Sequence, residues 1–220
     1  MKNNVLVVAA HPDDELLGLG GTLCKHRNDG DAITILILAN GEDSRDQGAD
    51  PQKRLAQAQQ VAEKLGAKLH LFDLPDNQFD TIALLTITKQ VENKVAACQP
   101  NIVYTHHADD LNVDHRKTFE AVLTACRPQP GSSVKKILSF ETLSSTEWQA
   151  KNQQLFKPNY YIDITDTLKE KQELLSIYHD ELREHPHPRS LEGVAILAHY
   201  RGIEVGVHAA EAFTLIRQID

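Results

Sequence analysis

The run AAHPDDE at residues 9–15 carries an imidazole and two adjacent carboxylates directly after an apolar segment. In open α/β sheets, ligands bind where the strands end, so this position suits a functional site. His11 and Asp14 are three residues apart across a turn that begins at Pro12, so both side chains can reach one cation while Asp13 points elsewhere. The spacing favours a metal site with a spare carboxylate, although acidic residues after a proline are also typical of a plain helix start.

A second polar cluster favours the metal interpretation. Residues 105–116 read THHADDLNVDHR and follow another short apolar run at residues 101–104. This segment contains three histidines and four acidic or amide side chains, which is an unusual composition for a surface loop. The composition favours metal binding. If both strand ends lie side by side in a parallel sheet, one histidine of this cluster joins His11 and Asp14. Two histidines and a carboxylate leave open positions on zinc or ferrous iron. Spacing alone leaves three candidates for the third ligand: His106, His107 and His115.

The length and composition of the chain limit the classes of protein to which it can belong. Its 220 residues, 41% of them hydrophobic, suffice for one sizeable α/β domain. The formal net charge of −8 argues against a nucleic-acid partner. We find no apolar run long enough to cross a bilayer, and the N-terminal residues lack the apolar core of a signal peptide. We therefore expect a cytoplasmic protein with a small-molecule partner and no membrane span. The sequence is compatible with a homo-oligomer.

The cysteines do not indicate a disulfide framework or a zinc finger. Cys24, Cys98 and Cys126 are odd in number and far apart, and they lack paired spacing. A reducing cytosol also disfavours disulfides. We expect three small buried side chains in helical segments.

The apolar segments predict the elements that hold both polar clusters. Predicted strands cover residues 5–9, 32–39, 68–73 and 101–104, and predicted helices cover residues 15–26, 52–65, 81–98 and 114–126. Alternating strands and helices indicate a parallel sheet with right-handed crossovers. The predicted fold class is α/β, a Rossmann-like three-layer sandwich with a mostly parallel central sheet.

The pattern loosens after about residue 130. Further predicted segments are strands at 136–141 and 160–164, a helix at 167–182 and a loop rich in proline and histidine at 184–190. Because no linker interrupts the chain, we expect a single domain over residues 1–220. Its C-terminal third, about 130–220, is expected to supply a sheet extension and substrate loops.

The two polar clusters together resemble a known family. The run AHPDDE at residues 10–15 and the pattern H-x-x-D-x-N-x-D-H at residues 107–115 are similar to the paired motifs of the PIG-L/LmbE family, the metal-dependent N-acetylglucosamine de-N-acetylases. The resemblance covers roughly residues 1–125 and implies a Rossmann-like α/β fold, in agreement with the predicted elements. It also implies three metal ligands: His11, Asp14 and His115.

The resemblance implies a zinc-dependent N-deacetylase, with ferrous iron as the alternative metal, that acts on an N-acetyl amino sugar or glycoconjugate. An amide carbonyl is a poor electrophile, so the metal must polarise it and lower the pKa of water. Asp13 corresponds to the general base of the family, which takes the proton of the water.

Asn112 departs from the pattern of some relatives, which carry a histidine three residues before the last metal-binding histidine. That histidine is proposed to protonate the leaving amine or to stabilise the oxyanion. An amide side chain donates a hydrogen bond to an oxyanion but transfers no proton. We therefore expect Asn112 to contact the oxyanion at most, and Asp13 to return the proton, alone or assisted by His107 or a histidine of the 184–190 loop.

Two aspartates of the second cluster have supporting roles. Asp110 and Asp114 are expected to accept hydrogen bonds from the outer nitrogens of ligand histidines or to orient the loop. Asp114 is alternatively the N-terminal cap of the following helix.

Three arginines are weaker candidates for substrate contacts. Arg54 resembles a recurring arginine of the family, although Gln57 stands where a glutamate often follows, and its alternative is a solvent-facing helix position. Arg189 and Arg201 flank the C-terminal loops, and an arginine clamps phosphate or carboxylate groups bidentately. We expect at least one of this pair near the substrate pocket.

Two other functions remain as alternatives. An enzyme of the same architecture can act on another small amide, such as a thiol conjugate. A receiver-like signalling domain also has an acidic pair after its first strand, and Asp73 resembles its phosphate acceptor. Such a domain has no use for His11 or for the cluster at residues 112–115, so the sequence disfavours it.

Overall fold

A seven-stranded mixed sheet lies at the centre of the molecule, and hydrophobic cores fill both of its faces. The computed structural model describes residues 2–39, 51–151 and 154–220. The strands are β1 (Asn4–Ala9), β2 (Ala32–Ala39), β3 (Lys68–Leu74), β4 (Ile102–His106), β5 (Lys136–Phe140), β6 (Tyr160–Asp163) and β7 (Ala210–Gln218). Their order across the sheet is β3-β2-β1-β4-β5-β7-β6. The predicted α/β class with a mostly parallel sheet is thereby confirmed.

Six α-helices are present in the described residues, and they connect or cover the strands. They are α1 (Asp14–Asn28), α2 (Pro51–Leu65), α3 (Leu84–Cys98), α4 (Val113–Ala125), α5 (Leu168–Leu175) and α6 (Leu191–Val205). Short 3₁₀ helices are formed by Phe79–Thr81, Thr146–Trp148 and Ser176–Tyr178. No described helix combines the length and the apolar surface that crossing a bilayer requires.

The central strands are apolar on both faces because helices cover both. β1 pairs in parallel with β2 and β4, and its residues from Val5 onward are buried. Leu6 and Val8 pack into one core, whereas Val5 and Val7 pack into the other. A continuous apolar run of this kind is typical of a parallel strand buried between two helical layers.

Residues 136–218 add three strands to the parallel sheet. β7 pairs antiparallel with β5, and β6 pairs antiparallel with β7. β7 therefore lies between β5 and β6 in the sheet, although both of these strands precede it in the chain. Neither α6 nor β7 was among the predicted elements.

Several predicted boundaries were wrong. The helix predicted at residues 81–98 begins at Leu84, because Ala83 is extended and a 3₁₀ turn occupies Phe79–Thr81. The helix predicted at residues 167–182 ends at Leu175 and continues only as a 3₁₀ turn. All three cysteines are free, but Cys98 is only partly buried, unlike Cys24 and Cys126.

Helix α1 contains a kink that a carboxylate of β7 stabilises. Leu19 has non-helical backbone angles, φ −149° and ψ 25°. After the kink, the backbone N–H groups of Gly21 and Thr22 donate to the carboxylate of Glu211 at 2.9 and 2.7 Å. Lys171 on α5 donates to the same carboxylate at 2.7 Å and to the carbonyl oxygen of Leu17 at 2.9 Å. The buried Lys171–Glu211 pair therefore joins both segments of α1 to α5 and β7.

Candidate metal centre and active site

The sheet brings the two polar clusters to one edge. β1 and β4 are neighbours, with Val7 opposite Tyr104. The segments that follow their carboxyl ends, residues 10–15 and 107–115, therefore lie side by side. This juxtaposition is the one that the motifs require, and it occurs where parallel sheets usually bind ligands.

His11, Asp14 and His115 converge around one point, with one potential ligand atom from each lying within 4.8 Å of the others. Asp14 Oδ2 lies 3.2 Å from His11 Nδ1 and 3.3 Å from His115 Nε2. All three side chains are almost completely buried. The structure thus brings together the two histidines and the carboxylate that the family resemblance implies.

The other two candidate histidines face different partners. His106 stacks on the ring of His115, and its Nε2 accepts the backbone N–H of Ala10 at 2.9 Å. That nitrogen is therefore already used within the fold. His107 packs edge-on against Phe156 at 5.2 Å between ring centroids. Its Nε2 is buried without a hydrogen-bond partner among the described residues.

Carboxylates hold the outer nitrogen of each candidate ligand. His11 Nε2 lies 2.9 Å from Asp76 and 3.0 Å from Asp114, and His115 Nδ1 lies 3.0 Å from Asp110. A carboxylate on the outer nitrogen orients a metal-binding imidazole and increases its basicity. Asp76 was missed in the sequence, although it follows the end of β3 at the same edge of the sheet.

The residues present fit a divalent cation. Asp14 Oδ1 is buried without a hydrogen-bond partner among the described residues, which is costly unless something else binds it. Four buried aspartates surround the two histidines: Asp14, Asp76, Asp110 and Asp114. Burial lowers the pKa of His115, but Asp14 and Asp110 outweigh it and raise that pKa to about 9. The centre therefore attracts positive charge, and two imidazoles with a carboxylate suit zinc or ferrous iron.

Asp13 lies beside this centre in a strained conformation. Its φ of 106° is unusual for a residue other than glycine, and its side chain is buried. Its backbone N–H donates to the carboxylate of Glu15 at 3.0 Å. Burial raises the pKa of Asp13 to about 6, although the charge of Arg189 opposes this shift.

Two arginines approach Asp13 from different parts of the chain. Arg189 Nη1 donates to Asp13 Oδ2 at 3.1 Å, and Arg54 Nη2 lies 3.7 Å from the same oxygen. Arg54 also donates to the carbonyl oxygen of Pro12 at 3.0 Å and is buried, so the solvent-facing alternative was wrong. Glu181 lies 3.3 Å from Arg54 and 3.5 Å from Arg189. Sequence reasoning missed Glu181, which has no motif around it.

Glu15 forms a second buried acidic position next to Asp13. Tyr178 donates its hydroxyl to Glu15 at 2.8 Å. Burial raises the pKa of Glu15 to about 8. This residue belongs to the AHPDDE run, but its contact with Tyr178 spans 163 residues and has no local signal.

Asn112, not Asp114, caps helix α4. The Asn112 side-chain oxygen accepts the backbone N–H of Asp114 at 2.8 Å, and its amide nitrogen donates to Asn77 at 3.0 Å. The carboxylate of Asp114 instead accepts the backbone N–H groups of Asn77 and Phe79 at 2.7 and 2.9 Å. The capping alternative for Asp114 was therefore wrong, because that carboxylate binds the turn before α3 and His11. The expected oxyanion contact of Asn112 stays a prediction.

Arg201 forms a separate ion pair. Its guanidinium donates to both oxygens of Glu141 at 2.7 and 2.8 Å and to Glu204 at 3.0 Å. It also lies over the ring of Phe156, which contacts His107. Among the described contacts, Arg189 and not Arg201 reaches the residues around Asp13.

Comparison with known proteins places the chain among deacetylase relatives. It is 28% identical over 166 residues to the uncharacterized deacetylase YaiS of Escherichia coli (strain K12), covering 71% of this chain and 82% of that protein. It is 28% identical over 186 residues to the diacetylchitobiose deacetylase of Thermococcus kodakarensis, covering 76% of this chain and 66% of that protein. Both proteins are similar to this chain in sequence.

The fold itself is shared more widely. The structure of GalB, the 4-carboxy-2-hydroxymuconate hydratase from Pseudomonas putida KT2440, matches with a TM-score of 0.79 and 20% identity, covering 100% of this chain and 98% of that one. This likeness concerns the architecture alone. The model of the family PIG-L, GlcNAc-PI de-N-acetylase, matches residues 6–126, which is more than half of the chain. The matched segment contains both polar clusters, and the chain therefore belongs to the PIG-L family, as its motifs predicted.

Proposed function

We propose that this protein is a metal-dependent hydrolase that removes the acetyl group from an N-acetylated amino sugar or glycoconjugate. One observation carries the proposal: His11, Asp14 and His115 converge on a point within 4.8 Å, and Asp13 adjoins them in the chain. The family and the names of the relatives support the deacetylase class. The fold does not discriminate, because a hydratase has the same architecture.

The residues divide the chemistry between them. A zinc or ferrous ion held by His11, Asp14 and His115 would act as a Lewis acid that polarises the amide carbonyl and lowers the pKa of water. The Asp13 carboxylate accepts the proton of the attacking water. Its pKa of about 6 keeps it ionised near neutral pH yet basic enough to take a proton.

The leaving amine must gain a proton before it departs. Asp13 is the first candidate donor, since it has just received one. His107 is the second, because its buried Nε2 has no hydrogen-bond partner among the described residues. Arg189 donates a hydrogen bond to the Asp13 carboxylate, and the positive charge of Arg54 lies close to the same oxygen. Together the two arginines keep the carboxylate in position.

The proposal is tested by metal analysis joined to an assay of acetate release. The substrates are free, nucleotide-linked and lipid-linked N-acetylhexosamines, with a thiol-conjugate amide as the competing substrate class. We expect about one metal ion per chain and acetate release that chelation abolishes. The Asp13→Asn variant should keep its metal and lose about 10²- to 10⁴-fold in kcat.

The matched control is His199→Ala, which changes a histidine on α6 whose ring bonds to the carbonyl oxygen of His208. It should keep both metal and turnover. Release of amine from the thiol conjugate without acetate release from any sugar would contradict the substrate class. A metal-free protein with full activity would contradict the mechanism.

A further inference from the structure

Trp148 is a half-exposed aromatic ring close to the candidate active site. It is the single tryptophan of the chain, and 52% of its surface is exposed. It ends the short 3₁₀ helix Thr146–Trp148, which follows β5. An indole in water leaves apolar surface that a ligand can cover favourably.

Hydrogen bonds connect the 3₁₀ helix that ends at Trp148 to the surroundings of the candidate metal ligands. The hydroxyl groups of Ser145 and Thr146 both donate to the carboxylate of Asp110. The same carboxylate lies 3.0 Å from His115 Nδ1. The residues immediately before Trp148 are therefore held by the group that orients a proposed ligand.

A second set of contacts leads from Trp148 to Asp13. The ring of Trp148 packs edge-on against the ring of His187, with centroids 5.6 Å apart and planes at 84°. His187 Nδ1 accepts the backbone N–H of Arg189 at 3.1 Å, and the guanidinium of Arg189 donates to Asp13 at 3.1 Å. Contacts of Trp148 and its neighbours thus reach residues on both sides of the site.

The surroundings of the ring indicate the chemistry of its ligand. His187 uses Nδ1 as an acceptor, so the neutral imidazole carries its proton on Nε2 and has a donor for a ligand. Gln149, the next residue, donates to the carbonyl oxygen of Asp109 at 3.1 Å. A flat aromatic ring beside polar groups suits a pyranose, which has an apolar C–H face and a border of hydroxyl groups. A lipid chain needs a longer continuous apolar patch.

We propose that Trp148 is the stacking platform of a second sugar subsite. It binds the pyranose that neighbours the N-acetylated unit in a disaccharide or longer glycan, while the N-acetylated unit lies at Asp13. The proposal rests on the proposed function and deepens it, because it favours an oligosaccharide over a free monosaccharide. Trp148 is a specificity residue and takes no part in the bond-breaking step.

The first test uses the fluorescence of this single tryptophan and needs no turnover. The probe is chitobiose, the β-linked disaccharide of glucosamine, and glucosamine is its monosaccharide control. We expect chitobiose to change the emission of Trp148 saturably, and glucosamine to leave it unchanged at equal concentration. Equal responses to both sugars, or no response to either, would overturn the subsite.

The second test separates KM from kcat. For N,N'-diacetylchitobiose, Trp148→Ala should raise KM about tenfold, which corresponds to about 1.4 kcal/mol, and leave kcat unchanged. For N-acetylglucosamine, it should change neither constant, and Trp148→Phe should restore most of the disaccharide KM. Tyr200→Ala removes another half-exposed aromatic ring, on α6, and should have no effect.

The outcomes distinguish this inference from the proposed function. Acetate release with disaccharide kinetics unaffected by Trp148→Ala would leave the deacetylase proposal standing and remove the subsite. A saturable emission change without acetate release from any sugar would leave the sugar subsite standing and remove the proposed reaction. Circular dichroism of each variant checks that the fold is kept.

Discussion

Asp13 has three energetically unfavourable features that a purely structural aspartate avoids. Its backbone adopts φ 106°, its carboxyl group is buried, and the negative charges of Asp14 and Glu181 also oppose its ionisation. A strained backbone position of this kind costs about 1–3 kcal/mol and persists only when its surroundings enforce it. Here the enforcing contacts are the bond from its N–H to Glu15 and the arginine held against its side chain. The strain lies at the residue to which we assign the proton transfer.

Asp110 should control metal affinity through His115. Replacing it by asparagine removes the negative charge that lies 3.0 Å from His115 Nδ1. Because loss of such a supporting carboxylate weakens metal binding, we expect Asp110→Asn to lower zinc affinity about 10- to 100-fold. Competition with a chromophoric chelator measures the effect.

Asp109→Asn is the matched control for that experiment. It makes the same charge change one position earlier, and among the described residues Asp109 makes no ion pair with His115. Its zinc affinity should stay close to that of the parent protein, because salt screens partly exposed charges that do not contact the site. Equal weakening by both variants would show that net charge and not imidazole orientation sets the affinity.

At the scale of elements, the kink in α1 depends on one buried ion pair. Glu211 accepts the N–H groups that follow the kink, and Lys171 neutralises it with both side chains only 4% exposed. We expect Glu211→Gln to lower the free energy of unfolding by about 3–5 kcal/mol, because the ammonium group of Lys171 loses its charged partner. Urea unfolding followed by circular dichroism measures the change.

The control is Glu170→Gln, which removes the partner of Arg27 from an ion pair near the surface. Partly exposed pairs of this kind contribute about 0–1 kcal/mol, so this variant should remain close to the parent protein. Similar losses in both variants would refute a special role for the buried pair.

Elements with strong apolar patterns could be predicted from the sequence. β2 was predicted with its exact bounds, because Ala32–Ala39 is apolar on both faces and β-branched at many positions. α6 was missed because its inward positions are small, namely Val194, Ala198 and Gly202, and give a weak one-sided signal. Neither β7 nor its position in the sheet was predicted. The order of the strands along the chain does not indicate that β7 pairs between β5 and β6.

The candidate site was predictable to the extent that its residues lie in local motifs. Spacing alone left three histidines as the third ligand, and the family resemblance selected His115. The contacts of Asp76, Glu181 and Trp148 arise from turns and long-range packing, so only the structure brings them to the site. Long-range side-chain contacts of this kind have no periodicity that a sequence could reveal.

For the whole molecule, metal binding should be coupled to stability. The candidate ligands come from the segments after β1 and β4, so a bound ion ties the two clusters together only in the folded state. At a zinc concentration 100 times the dissociation constant, the stabilisation is about 2.7 kcal/mol, which raises Tm by roughly 5–10 °C for a chain of this size. Differential scanning calorimetry with and without zinc measures the shift.

His115→Ala should abolish most of this rise, whereas His199→Ala, on α6, should keep it. A zinc-dependent rise of the same size in His115→Ala would mean that the ion binds elsewhere. No rise in the parent protein would argue against a metal site that is assembled by folding.

The position of β7 has a consequence for biosynthesis. Strands β1 to β5 are translated in order and pair in parallel, but Glu211 belongs to a strand made some 190 residues after the helix segment whose N–H groups it accepts. Domains form as their segments leave the ribosome, so a nascent chain without residues 210–218 lacks the acceptor for α1, the helix that begins at Asp14. Premature termination after His115 but before Ala210 should therefore yield a polypeptide that retains both motifs and still cannot assemble a working centre.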